Sequence, residues 1–181
     1  MVFLAAGISA CSSPGLKPWH TVELDEEFTA DMVVDGRVQA FDDYLALEDR
    51  LFRQLDVEIQ ADSETGPAFE LNRYSTGSAA DPEHRQHNWN HSFELTHSAA
   101  IGGVLLLHGM SDSPYTMRAL ANTLNQQGYH VIAPRSPGHG TAPSGLRTTS
   151  WQDMAAVVGL AMQHLSTELD DRPLHIIGYS T

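Results

Sequence analysis

Three apolar runs constrain this chain more than any other feature: Ile101–Leu107, Tyr129–Ala133 and Leu174–Ile177. The first, Ile-Gly-Gly-Val-Leu-Leu-Leu, shows no polar alternation, which is the pattern of a strand covered on both faces. Between the first and second runs, Tyr115, Leu120 and Leu124 recur at roughly helical spacing. Ser113 or Asp112 stands at the cap position, Pro114 lies in the first turn, and Gln126-Gln127-Gly128 ends the helix. Between the second and third, Trp151, Met154, Val158, Met162 and Leu165 step by three and four, which predicts a helix from Trp151 to Leu169 capped by Thr149 or Ser150. Strand, helix, strand, helix, strand with short connections requires right-handed crossovers. The fold class is therefore α/β, a mainly parallel sheet with helices on both faces.

Ligands of an open parallel sheet bind at the carboxyl ends of its strands. Two glycine turns fall at such ends, His108-Gly109-Met110 and Gly178-Tyr179-Ser180. The second fills the first four positions of Gly-x-Ser-x-Gly, a strained strand-to-helix turn that exposes a serine. Glycines are needed there because a side chain would collide with the neighbouring strand or helix. A serine alone is a poor nucleophile and needs a base and oxyanion donors. The turn makes Ser180 the candidate nucleophile and aims the backbone N–H of Thr181 at the developing charge. The second donor comes from the loop after the earlier strand, where Met110 N–H stands. Gly109-Met110-Ser111-Asp112-Ser113 offers a competing serine, but its fifth position is serine, and Ser111 reads better as a helix-start residue.

Leu-Leu-Leu-His-Gly-Met, Ala-Pro-Arg-Ser-Pro-Gly-His-Gly and Ile-Ile-Gly-Tyr-Ser, in this order and spacing, resemble the α/β-hydrolase superfamily, and within it the esterase, monoglyceride-lipase and serine-aminopeptidase-like branch. The resemblance covers residues 70–181 well and residues 20–69 hardly at all. It implies a carboxylic ester hydrolase acting on lipid or other acyl esters through an acyl-enzyme, with Ser180 as nucleophile and the amides of Met110 and Thr181 as oxyanion hole. It assigns His108 and His139 to structural loops and calls for no cofactor. In that family the acid and the histidine follow the nucleophile. The chain is thus expected to be the N-terminal portion of a longer product, cut at the turn and inactive by itself. Its domain plan is a leader and tether at 1–19, an acidic, partly helical extension at 20–68, and half of a hydrolase domain at 69–181. An uncovered sheet edge at Leu174–Ile177 invites association.

The net charge of -13 argues against nucleic acid, which needs basic residues. The excess is local: residues 1–70 hold 15 acidic and 4 basic side chains, residues 71–181 hold 8 and 6. Lys17 is the only lysine, which removes Walker and Ser-x-x-Lys chemistry, and Cys11 the only cysteine, which removes intrachain disulfides and thiolate metal clusters. Ile8-Ser9-Ala10-Cys11 resembles a bacterial lipobox, with Cys11 as lipid attachment site and Ser12–Pro18 as tether, although no Lys or Arg precedes the apolar run. That implies a membrane-anchored protein of the cell envelope; the alternative is a cytoplasmic one.

Residues 20–36 read as acidic and irregular. From Val38 to about Ile59, apolar residues at Phe41, Tyr44, Leu47 or Glu48, Leu51, Leu55 and Ile59 make an amphipathic helix with Asp42, Asp43, Asp49 and Arg53 on its wet side. Phe69–Tyr74 is expected as a short strand and His91–Leu95 as an edge or hairpin strand. His84, His87 and His91 would share a helix face, the spacing of a metal site, but Asp81-Pro82 and Asn88-Trp89-Asn90 favour exposed loop histidines and no metal. A noncatalytic module of the same fold, or a serine peptidase or thioesterase, stays open as an alternative, because fold does not fix function.

Overall fold

The computed structural model describes residues 15–84 and 88–180. Two single-turn helices, α1 (Pro18–Thr21) and α2 (Asp31–Val34), punctuate the segment expected to be irregular. Helix α3 (Phe41–Leu55) continues into a π-helical turn at Asp56–Gln60. Its apolar stripe is the expected one: Phe41, Tyr44, Leu47, Leu51, Leu55 and Ile59 are buried, while Asp42, Asp43, Asp49 and Arg53 are exposed. Glu48 is buried with them.

Four strands follow: β1 (Phe93–Leu95), β2 (Gly102–Leu107), β3 (Tyr129–Ala133) and β4 (Leu174–Gly178). They form one sheet in the order β1-β3-β2-β4. β1 runs antiparallel to β3, and β2 runs parallel to both β3 and β4. Helices α4 (Arg118–Gln126) and α5 (Trp151–Leu169) are the crossovers. Alternation along the strands divides the core. Leu105 and Ile132 face α3 and α5 in one cluster; Val104, Leu106, Val131 and Ala133 face Met117 and Ala121 beside α4 in another. The acidic extension is therefore part of the main core, since Phe28, Phe41, Tyr44 and Leu47 share a cluster with Leu105 and Leu165.

Three expectations need correction. Phe69–Tyr74 is not a strand: Pro67–Phe69 is a 3-10 turn, Asn72 Oδ1 accepts from Tyr74 N–H, and Tyr74 stacks on Trp19 at 4.8 Å instead of pairing with a neighbour. The first turn of the α4 crossover is 3-10 (Pro114–Met117), Ser113 makes no side-chain cap, and Tyr115 and Leu120 face solvent while Met117 and Ala121 are buried. In α5 the cap is right, because Ser150 accepts from Asp153 N–H and Asp153 closes the capping box. The buried stripe, however, is Val157, Leu160, Ala161, Leu165 and Leu169, and Trp151 is 71% exposed. A helix this rich in apolar residues on several sides offers more than one plausible stripe, and packing selects among them. As the sequence leads one to expect of Leu174–Ile177, β4 is an uncovered sheet margin, with Ile176 53% and Ile177 37% exposed.

Candidate active site

The register of β2 with β4 pairs Gly103 with Leu174 and Leu107 with Gly178, so the two strands end level. Their terminal bends then touch. Tyr179 N–H donates to the Leu107 carbonyl at 3.0 Å, and Met110 N–H donates to the Ser180 carbonyl at 3.4 Å. The second bond is long, near the limit for such a contact, and correspondingly weak. Glycine at position 109 leaves room for this close approach. A Cβ there would lie 3.0 Å from the Tyr179 carbonyl oxygen and 3.3 Å from Ser180 Cβ. Ser180 itself has φ of 54°, in the left-handed region that costs a non-glycine residue of order 1 kcal/mol or more. Such strain persists only where the surroundings impose it, and here the Tyr179–Leu107 and Met110–Ser180 contacts do so.

Ser111 shares that conformation, with φ of 59°. Backbone strain alone therefore does not single out Ser180. Ser111 lies past the turn and lines a cleft of about 340 Å³ with Trp19, Arg73, Tyr74, His139 and Thr141. Ser180 stands at the tip of a parallel strand, exposed, and among the described residues no imidazole or carboxylate is hydrogen-bonded to its hydroxyl.

Comparison with known proteins bears on the same stretch. Residues 104–181 match the model of a family described as "Alpha/beta hydrolase family". The chain is 43% identical over 56 residues to a thermostable monoacylglycerol lipase of Bacillus sp. (strain H-257), a stretch covering 31% of this chain and 22% of the lipase. It is 37% identical over 65 residues to a carboxylesterase of Bacillus subtilis (strain 168), covering 36% of this chain and 26% of the esterase. Residues 104–181 are thus similar to the α/β-hydrolase family. The matched stretch spans about a quarter of each curated relative. A solved structure from the work on the metagenome-derived lipolytic enzymes LipS and LipT is similar at 32% identity and a TM-score of 0.45, covering 50% of this chain and 35% of that one.

The two loop histidines of the matched segment are tied into backbone. His108 is 1% exposed; its Nε2 lies 3.0 Å from Ser136 N and its Nδ1 2.9 Å from the Gly109 oxygen. Burial pushes its imidazole down to about 4, so the ring is neutral at ordinary pH. His139 Nδ1 lies 2.8 Å from the Pro137 oxygen. Neither ring hydrogen-bonds Ser180.

Thr181, Cys11 and His87 lie outside the described residues. His84 sits in a 3-10 turn, Pro82–His84, and His91 stacks on Phe52 at 3.8 Å beside Glu48. Among the described residues, no group of three or more His, Cys, Asp or Glu side chains is placed to hold a metal ion.

Arg135 is the residue whose importance the sequence hid. It is fully buried, its Nη2 lies 2.8 Å from Glu27 and its Nε 3.1 Å from Glu48, and its Nη1 donates to the His139 carbonyl at 2.9 Å. It thereby binds the extension to the loop after β3. An arginine directly behind a buried strand and proline, in a chain whose acidic excess lies upstream, was the available signal.

Proposed function

We propose that Ser180 is the nucleophile of a serine hydrolase that cleaves carboxylic esters, with lipid or other acyl esters as substrates. The observation that carries this is the left-handed bend at Ser180, closing a parallel strand level with β2 and touching the bend at Met110. The relatedness to a monoacylglycerol lipase and a carboxylesterase supports the choice of ester over amide or thioester. In this reading Ser180 Oγ attacks the ester carbonyl carbon and its proton passes to a histidine, which returns it to the departing alcohol oxygen. Water then cleaves the acyl-serine by the same route reversed. The amides of Met110 and Thr181 receive the oxyanion once Met110 N–H leaves its long contact to the Ser180 carbonyl. The route requires a histidine as base and an acid that orients it.

The test is covalent labelling. In a polypeptide that continues past Thr181, a fluorophosphonate should label Ser180, and Ser180→Ala should abolish the label while Ser111→Ala leaves it. Labelling that persists in Ser180→Ala, or a continuous polypeptide that never labels, removes the reading and favours a noncatalytic ligand-binding module.

We also propose that Cys11, in its lipobox-like setting, carries a lipid that anchors the protein at a membrane of the cell envelope. Intact-mass measurement of the membrane fraction should show the acylated species lost in Cys11→Ser. Unmodified protein recovered from the cytoplasm would exclude the anchor.

A further inference from the structure

We infer that Tyr44 and His108 are positioning residues which, through two peptide planes in series, hold the Met110 amide toward Ser180. This rests on the reading of Ser180 as nucleophile and adds a role for the N-terminal extension, which the resemblance to hydrolases does not reach.

The relay starts in α3. Tyr44 is fully buried, with Phe28 edge-on at 5.3 Å and Phe41 stacked at 5.9 Å, so its ring has one direction to point. Its hydroxyl donates to the Arg135 carbonyl at 2.6 Å. That carbonyl and the Ser136 N–H belong to one planar trans peptide, and they point to opposite sides of it. The Ser136 N–H therefore points away from Tyr44, and it donates to His108 Nε2 at 3.0 Å.

The tautomer follows. A backbone N–H can only donate, so Nε2 is the bare nitrogen of a neutral ring and Nδ1 carries the proton. Nδ1–H then donates to the Gly109 carbonyl at 2.9 Å. The Gly109–Met110 peptide is again planar and trans. With its carbonyl held by His108, its N–H must face the other way, which is where Ser180 stands 3.4 Å off. Gly109 and Arg135 are both buried, so a rotated peptide would leave an unpaired, desolvated carbonyl. A turned Gly109–Met110 peptide would also present oxygen, not N–H, to a developing oxyanion. Arg135 bonds and the packing of α3 keep the upstream peptide from drifting.

Three substitutions separate this from a purely structural role, in a continuous polypeptide whose Ser180 reacts with fluorophosphonate. His108→Gln keeps an acceptor near the Nε2 position and loses the donor to Gly109. It should slow labelling and kcat by about 30–100-fold with KM little changed, somewhat less than the loss of an entire oxyanion donor. His108→Asn places an amide N–H near the Nδ1 position but loses the acceptor for Ser136 N–H, so it should recover labelling to about the level of Tyr44→Phe. Tyr44→Phe removes one oxygen atom and should slow labelling by about 3–10-fold. Circular dichroism and thermal melts check folding; should His108→Gln fail to fold, Tyr44→Phe and His108→Asn carry the comparison. Wild-type protein that never labels overturns the Ser180 reading. Wild type that labels, with His108→Gln and Tyr44→Phe equally fast, overturns the relay alone, as does a His108→Asn protein as slow as His108→Gln.

Discussion

β3 and β4 flank β2 in the same direction and with nearly the same register, yet the two sides of β2 are built differently. On the β3 side, the loop after the strand is fastened by a buried guanidinium between two carboxylates, by the Tyr44 hydroxyl and by the His108 ring. On the β4 side, His175–Ser180 are exposed, and ladder bonds and two bend contacts position Ser180. Register alone is enough to bring two bends together; burial is what makes a bend rigid. Met110 lies between, held from the β3 side and presented to the β4 side. Preorganisation of that kind matters for catalysis because a dipole that is already aimed costs no reorganisation in the transition state.

The comparison can be broken most directly at Arg135. Removing it in Arg135→Ala leaves Glu27 and Glu48 without their buried partner, and should cost about 3–5 kcal/mol in urea unfolding. A loss below about 1 kcal/mol would mean the β3 side is no more firmly held than the margin.

A second effect comes from acid. The folded pKa of His108 is depressed to about 4, below the ordinary histidine value, so the unfolded chain binds this proton first as pH falls. The contribution is intact above about pH 6.5 and is lost as pH drops toward 4, reaching about 3 kcal/mol there. The groups acting on the ring are the desolvating core, the Gly109 carbonyl, His139, Asp112 and Arg135. Stability measured from pH 7 to 4 should fall more steeply in wild type than in His108→Gln; parallel curves would remove His108 as the cause.

The smallest effect should appear at the margin. Ile176→Thr, on a half-exposed side chain, should change stability by less than about 0.5 kcal/mol while reducing self-association seen by light scattering. Leu105→Thr, on the same sheet but wholly buried, should cost several times more, since it loses apolar burial and buries a hydroxyl. Equal losses at the two positions would show that β4 is covered in solution.

The strands β2, β3 and β4, the α3 stripe and the cap of α5 were legible because each is a local pattern: apolar continuity, periodicity of three and four, or a serine three residues before an aspartate. The buried stripe of α5 was misread by starting it at Trp151, because Met154, Val158 and Met162 form an equally regular line. Phe69–Tyr74 looked extended, but its aromatic side chain had a partner 55 residues upstream in Trp19 that no local rule contains. Two serines with the same left-handed backbone show that local strain cannot choose between Ser111 and Ser180 either.

Alone, the amino-acid sequence determined the parallel α/β order, the placing of glycine turns at strand ends and the serine at the tip of the last strand. Only the tertiary structure decided that the acidic extension is core, that Glu48 is buried, and that Arg135 meets Glu27 across 108 residues of chain. The physical reason is range. Backbone hydrogen bonding and hydrophobic periodicity act between near neighbours in the chain, whereas a charge can be buried only where folding delivers its partner from far away.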